Sequence, residues 1–185
     1  MLKRYYLAYG SNLHPLRLQA RTPSAKAVAL VKLAGQRLTF HKQSKDGSGK
    51  CNLVEDKASV AYGVLYEIDP SEMPTLHAAE GPGYIQQQVK IVLGGQVCMA
   101  IVYIATSESI GCDLMPYDWY RDLVVLGAAF YGFPNNYLTE LRGISSLTDP
   151  DSGRAQSNRV LISRMQQYPA LIQAICWVPH PADAP

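Results

Sequence analysis

The stretch DPSEMPTLHAAEGPGYIQQQVKIVLGGQVCMAIVYI, residues 69–104, spells out one complete helix followed by one complete hairpin, and that order decides the fold class. Asp69 offers a capping side chain, Pro70 suits the first helical position, and Glu72 puts a carboxylate in the first turn. The helix is predicted to run to Glu80, because Gly81-Pro82-Gly83 must end it. Tyr84 to Leu93 and Gln96 to Ile104 are rich in β-branched and aromatic residues and flank Gly94-Gly95, which predicts a hairpin with a two-residue turn.

Upstream of this unit strands dominate. Lys3 to Tyr9, Ala27 to Leu33, Arg37 to His41 and Val60 to Ile68 read as strands, with a short helical pattern around Leu13, Leu16 and Leu18 and a Lys/Ser/Gly-rich loop between His41 and Cys51. Downstream the pattern turns helical. Pro116 to Tyr131 carries Trp119, Leu123, Leu126 and Phe130 on one face with Val124, Gly127 and Ala128 beside it, so this helix is expected to be buried on most sides. A shorter helix follows Pro134 and ends near Leu141, capped by Gly143; a polar loop from Asp149 to Ser157, a weaker helical stretch and a Pro/Ala tail complete the chain. Strands first and helices later, with one helix set before a hairpin, make the expected class α+β.

Composition narrows the options. Among 185 residues, 48% are hydrophobic, enough for a sizeable core, while only 17% are charged against roughly 25% in typical soluble proteins. The longest nearly apolar run, Leu123 to Phe133, is too short to span a bilayer and contains Gly127 and Gly132, so no membrane association is expected. Lys3-Arg4 is followed by too few apolar residues for a signal peptide, and a cytoplasmic protein is expected. Cys51, Cys98, Cys112 and Cys176 form no CxxC pair, and His14, His41, His77 and His180 show no metal-ligand spacing, so neither a disulfide framework nor a metal site is expected. Charge is distributed unevenly. Residues 1–50 hold ten Lys/Arg and one acid, whereas residues 51–185 hold seven and fourteen. Such asymmetry can steer a small anion or mark a nucleic-acid surface, but these cations are scattered over several elements without a basic run or interleaved aromatics, which argues against nucleic acid.

Two features suggest chemistry. Glu80 follows Met73 and Leu76 at helical spacing, which puts its carboxylate on the apolar face and at the negative end of the helix dipole. Both effects raise its pKa towards the range useful for general acid–base catalysis; the competing reading is a glutamate satisfied by an arginine or frayed into solvent. Tyr9-Gly10-Ser11-Asn12-Leu13 leaves a strand in a tight turn whose successive N–H groups can converge on an anion, with Gly10 allowing close approach of a ligand.

Taken together, a first strand ending in YGSNL, a later helix ending in Glu80-Gly81 followed by Gly83-Tyr84, a strand ending at Tyr103, and Tyr120 ahead of Gly127-Ala128 and Gly132-Phe133-Pro134 resemble the γ-glutamylcyclotransferase family over roughly residues 4–143. The resemblance implies a small mixed β-barrel with flanking helices, a domain over 1–143, and a C-terminal extension over 144–185, of no assigned role, packed on it. It implies release of 5-oxoproline from a small γ-glutamyl substrate without metal or cofactor, with Glu80 as the catalytic acid/base. Tyr6, Leu7, Ala8, Tyr9, Gly10, Ser11 and Asn12 would hold the substrate, Tyr84 and Tyr103 would line the cavity, and Tyr120 would contact the substrate. Family members often carry an aspartate three residues before the glutamate; here His77 stands in its place.

Such a substrate brings its own nucleophile, the α-amine, which closes a five-membered ring on the γ-carbonyl. The loop would hold either the α-carboxylate or the developing oxyanion. Two alternatives accompany this reading: cyclisation of a γ-glutamylamine or a biosynthetic intermediate, and a non-catalytic anion-binding module on the same fold. The leaving group and the oligomeric state are left open by the motifs.

Overall fold

The computed structural model describes residues 3–168 and 175–178. The elements follow the expected order: β1 (Arg4–Ala8), α1 (Pro15–Gln19), β2 (Lys26–Gln43), β3 (Gly49–Ile68), α2 (Met73–Glu80), β4 (Tyr84–Leu93), β5 (Gln96–Ala105), α3 (Asp118–Phe130), α4 (Asn135–Gly143), α5 (Ser152–Gln167) and β6 (Trp177–Val178). The fold is α+β. One six-stranded mixed sheet runs in the order β4-β5-β1-β3-β2-β6, with β1 parallel to β5 and β2 parallel to β6. The sheet stays open, so the barrel expected from the resemblance is an unclosed six-stranded sheet with helices packed on it.

The hairpin of β4 and β5 forms as predicted, with Leu93 opposite Gln96 across the two-residue turn. The helix ahead of it begins as a 3₁₀ turn over Pro70–Glu72, where the Asp69 carboxylate accepts from the Ser71 N–H at 2.8 Å, and continues as α2 to Glu80.

Three stretches differ from expectation. Ala27–Leu33 and Arg37–His41 are halves of one strand, β2, because both pair with β3. The mismatch at their junction is absorbed across the ladder: Ala34 faces Val60 and Gln36 faces Glu55, so residues 56–59 loop out, closed by Asp56 accepting from the Ala58 N–H and the Ser59 hydroxyl. Consequently β3 begins at Gly49, and the polar loop shrinks to residues 44–48. The expected loop from Asp149 to Ser157 is mostly helix, since Asp151 caps α5 by accepting from the Arg154 N–H at 2.9 Å. Parts of the C-terminal stretch and tail, residues 169–174 and 179–185, lie outside the described residues.

The core lies between the sheet and helices α3 and α4. Leu7, Val64, Leu65 and Tyr66 from the central strands meet Leu123, Val124, Ala128 and Leu138. Contact is close at Gly127, where a Cβ would come within 2.5 Å of Leu13 Cβ and 3.0 Å of the His14 nitrogen. Only a glycine lets the segment leaving β1 lie directly on α3. Among the described residues no helix is long and apolar enough to cross a membrane.

Candidate active site

Past Ala8 the chain leaves the sheet and turns back on itself, the Leu13 N–H bonding to the Gly10 carbonyl at 3.0 Å. The Tyr66 hydroxyl donates to the Leu13 carbonyl at 2.7 Å, which fixes the far end of the turn. Gly10 is needed because β3 comes close: a Cβ there would lie 2.9 Å from Cys51 Cβ. The sequence suggested that this glycine admits a ligand; the group it admits is Cys51. Within the turn, the Ser11 and Asn12 N–H groups make no backbone hydrogen bond among the described residues, so they remain available as donors.

Glu80 ends α2 on the face shared with the fully buried Leu76 and reaches the loop. Its Oε1 accepts from Asn12 Nδ2 at 2.7 Å and from the Tyr6 hydroxyl at 3.2 Å, and Asn12 Nδ2 also donates to Tyr6 Oη at 3.1 Å. Oε2 takes no hydrogen bond among the described residues. Burial raises the Glu80 pKa above the ordinary carboxylate value, against the opposing pull of Arg21, the Tyr6 hydroxyl, Arg17 and Lys42. Asn12 is held in turn by Arg21, whose Nη1 donates to Asn12 Oδ1 at 2.8 Å and thereby turns the amide nitrogen towards Glu80. His77 is exposed on the same helix, its ring 5.9 Å from that of Tyr103.

Tyr6, Tyr9, Gly10, Ser11, Asn12, Tyr84, Tyr103 and Tyr120 come together with Glu80 and Cys51 around a small cavity of about 30 Å³. Leu7 and Ala8 do not join them. Leu7 projects from the opposite face of β1 into the core beside Gly63, and Ala8 has too short a side chain to reach past the strand. The tyrosines differ in how they are satisfied. Tyr9 donates to the Tyr103 carbonyl, Tyr84 donates to the Cys51 carbonyl at 2.5 Å, and Tyr120 Oη accepts from the Cys51 N–H at 3.2 Å. The Tyr103 hydroxyl is buried without a partner, and burial pushes its pKa up to about 12. Tyr103, which lines the cavity, therefore carries an unused neutral donor.

Sequence reasoning missed Arg17, Arg21, Lys42, Lys50 and Cys51. The four cations, dispersed over α1, the following turn, β2 and β3, line a second recess together with Ser11, Glu80, Tyr84 and Tyr120, all four of which also border the cavity. The only advance signal was the basic excess of residues 1–50. Among the described residues no three His, Cys, Asp or Glu side chains gather as metal ligands.

The model of the AIG2-like family matches residues 60–141, a span that holds Glu80, Tyr84, Tyr103 and Tyr120 but not the turn at 9–12. The γ-glutamylcyclotransferase of Homo sapiens is 26% identical over 148 residues, covering 75% of this chain and 77% of the relative. The chain is thus similar to γ-glutamylcyclotransferases over three quarters of its length. The family fold is seen in a solved γ-glutamyl cyclotransferase that superposes with a TM-score of 0.76 at 23% identity, over 88% of this chain and 99% of the other. It recurs in an uncharacterized Homo sapiens protein, loc79017, with a TM-score of 0.74 at 24% identity over 87% and 98%. The likeness to these γ-glutamylcyclotransferase-fold structures reaches past the part matched by the family model and takes in most of the chain.

Proposed function

We propose that the protein releases 5-oxoproline from small γ-glutamyl amino acids or peptides, with Glu80 as general acid and base. The observation that carries this reading is the division of labour at the Glu80 carboxylate, which lines the cavity: Oε1 is fixed by Asn12 and Tyr6, while Oε2 takes no hydrogen bond among the described residues. A carboxylate held at one oxygen can exchange a proton at the other without losing its orientation.

The reaction then proceeds with the protons balanced. Oε2 takes a proton from the substrate α-ammonium, and the freed amine attacks the γ-carbonyl carbon to form the lactam C–N bond. The original amide C–N bond breaks as Glu80 returns that proton to the departing amine, and the surplus proton left on the ring nitrogen passes over the same carboxylate to the freed amine, which departs as an ammonium ion. The unused Ser11 and Asn12 N–H groups and the unpartnered Tyr103 hydroxyl supply donors for the α-carboxylate and the oxyanion. No side-chain nucleophile is required, which agrees with Cys51, the cavity's one thiol, being buried with its pKa pushed up to about 12.

The test is direct measurement of 5-oxoproline from a panel of γ-glutamyl dipeptides, γ-glutamylamines and glutathione. At least one dipeptide should yield product. Glu80→Gln should lower turnover by about 10²–10⁴-fold, the usual range for removal of general acid–base catalysis, while substrate still binds. Near-wild-type turnover in that variant would sink the mechanism.

A further inference from the structure

The recess beside the cavity has more positive charge than its own carboxylates neutralise. Arg17, Arg21, Lys42 and Lys50 line it, with Asp46 and Glu80 as the acids, in a space of about 190 Å³ open to solvent. Two of the cations are committed. Lys50 Nζ bonds to Asp46 Oδ2 at 2.8 Å and to Ser48 Oγ at 2.7 Å, and lies 4.8 Å from the centre of the Trp119 ring. Arg21 is engaged by Asn12. Arg17, Arg21 and Lys42 have no carboxylate partner among the described residues, and Arg17 and Lys42, unlike Arg21, also make no side-chain hydrogen bond there.

Neither of these two cations is a solvated surface group. The Arg17 Nε is buried and makes no hydrogen bond, and burial lowers the Arg17 pKa to about 10. Lys42 is only 6% exposed, with Nζ 4.8 Å from the centre of the Tyr84 ring, and burial lowers its pKa. A buried cation without a counter-charge is costly, and a bound anion removes that cost.

We propose that this recess is the leaving-group subsite and that Arg17 and Lys42 select γ-glutamyl compounds whose leaving portion is an acidic amino acid. The inference rests on the reading given under Proposed function: with the γ-glutamyl half in the cavity, the leaving half crosses Ser11, Glu80, Tyr84 and Tyr120, which border both spaces. A neutral leaving amino acid brings one carboxylate for two waiting cations. An acidic one brings two, whereas a leaving amine brings none.

The experiment compares γ-glutamyl-glutamate with γ-glutamyl-alanine, by 5-oxoproline release in the wild type and by calorimetric binding in Glu80→Gln, which cannot consume them. One additional charge-assisted contact corresponds to about tenfold or more, and that preference for the acidic ligand is expected in both kcat/KM and affinity. Since Arg17 is largely buried, Lys42→Gln carries the test. It should shrink the preference by lowering kcat/KM for γ-glutamyl-glutamate more than for γ-glutamyl-alanine, and a preference undiminished in Lys42→Gln overturns the assignment. Equal kcat/KM for the two substrates, with 5-oxoproline released from both, overturns the subsite and leaves the proposed reaction standing. Preferential binding of the acidic ligand without 5-oxoproline from either does the reverse. Absence of both preference and product overturns both.

Discussion

At Glu80, burial and the nearby cations pull in opposite directions, and burial prevails. A carboxyl whose folded pKa is raised contributes stability that is fully present below the unfolded value, near 4.5, and lost as pH rises through the folded value. Gln mimics the protonated side chain, so Glu80→Gln should melt above the wild type at pH 8, with the gap closing towards pH 4. Turnover should show the complementary dependence, the acid limb of kcat/KM falling above the range of an ordinary glutamate. A variant that melts below the wild type at pH 8 would mean that Asn12 and Tyr6 stabilise the charged form more than burial opposes it. Tyr120 makes a second residue-scale case. The resemblance implies that Tyr120 contacts the substrate, and with that role alone Tyr120→Phe would change stability little. In the structure the hydroxyl accepts from the Cys51 N–H, and the variant would leave that buried donor unpaired. The expected loss is about 1–3 kcal/mol of stability, read from chemical denaturation, with a kinetic effect superimposed where the same hydroxyl meets substrate.

Among the elements, those with local signals were legible and those defined by distant partners were not. The hairpin announced itself through Gly94-Gly95, and α2 through Asp69-Pro70 and Gly81-Pro82-Gly83. The joining of two predicted strands into β2 was not legible, because nothing near Gly35 says that both halves share one partner or that residues 56–59 will loop out opposite. Most of α5 is solvent-facing and polar, with Ala155 and Met165 its buried residues, so its apolar periodicity is weak. In α3, Gly127 offers a test in which two effects compete. Ala in a helix interior is favoured over Gly by about 1 kcal/mol, whereas overpacking a tight contact costs about 1–3 kcal/mol. The new Cβ would meet Leu13 Cβ at 2.5 Å, and Leu13 is fully buried, so strain should win. Gly127→Ala is expected to be less stable and to lose turnover, because displacing Leu13 displaces the Asn12 amide that holds Glu80. Unchanged kinetics would show that the loop can shift without carrying Asn12 with it.

Over the whole molecule, the site draws on β1, α2, β3, β4, β5 and α3, and its basic wall is braced from the C-terminal part of the chain. The motif residues could be read from YGSN and Glu80-Gly81, but the basic wall could not. Arg17, Arg21, Lys42 and Lys50 are far enough apart in sequence to look scattered, and only the path of β2 and β3 brings them together. The brace is Asp149. Its Oδ2 accepts from Trp119 Nε1 at 2.8 Å and from Arg154 Nε at 2.7 Å, while Oδ1 accepts from Arg154 Nη2 at 2.5 Å and the Asp151 N–H at 2.9 Å. Trp119 lies in turn beneath the Lys50 ammonium, so one carboxylate links the start of α5 to the floor of the recess. The Arg154 guanidinium, with the Asp151 N–H and the Trp119 indole, holds the Asp149 pKa down to about 2 from an ordinary value of 3.8. For a depressed carboxyl the sign is opposite to that at Glu80: its stabilisation is present above pH 3.8 and is lost as pH falls through about 2. Asp149→Asn should therefore cost about 1–2 kcal/mol at neutral pH, and the difference from the wild type should shrink across that acid window. Urea denaturation of both proteins at pH 7 and pH 2.5 measures it. A penalty independent of pH would assign the loss to the neutral hydrogen bonds of Trp119 and Asp151 instead of the ion pair. A release of Trp119 should also weaken the grip of the recess on an acidic leaving group, linking the C-terminal helix to substrate choice through a single carboxylate.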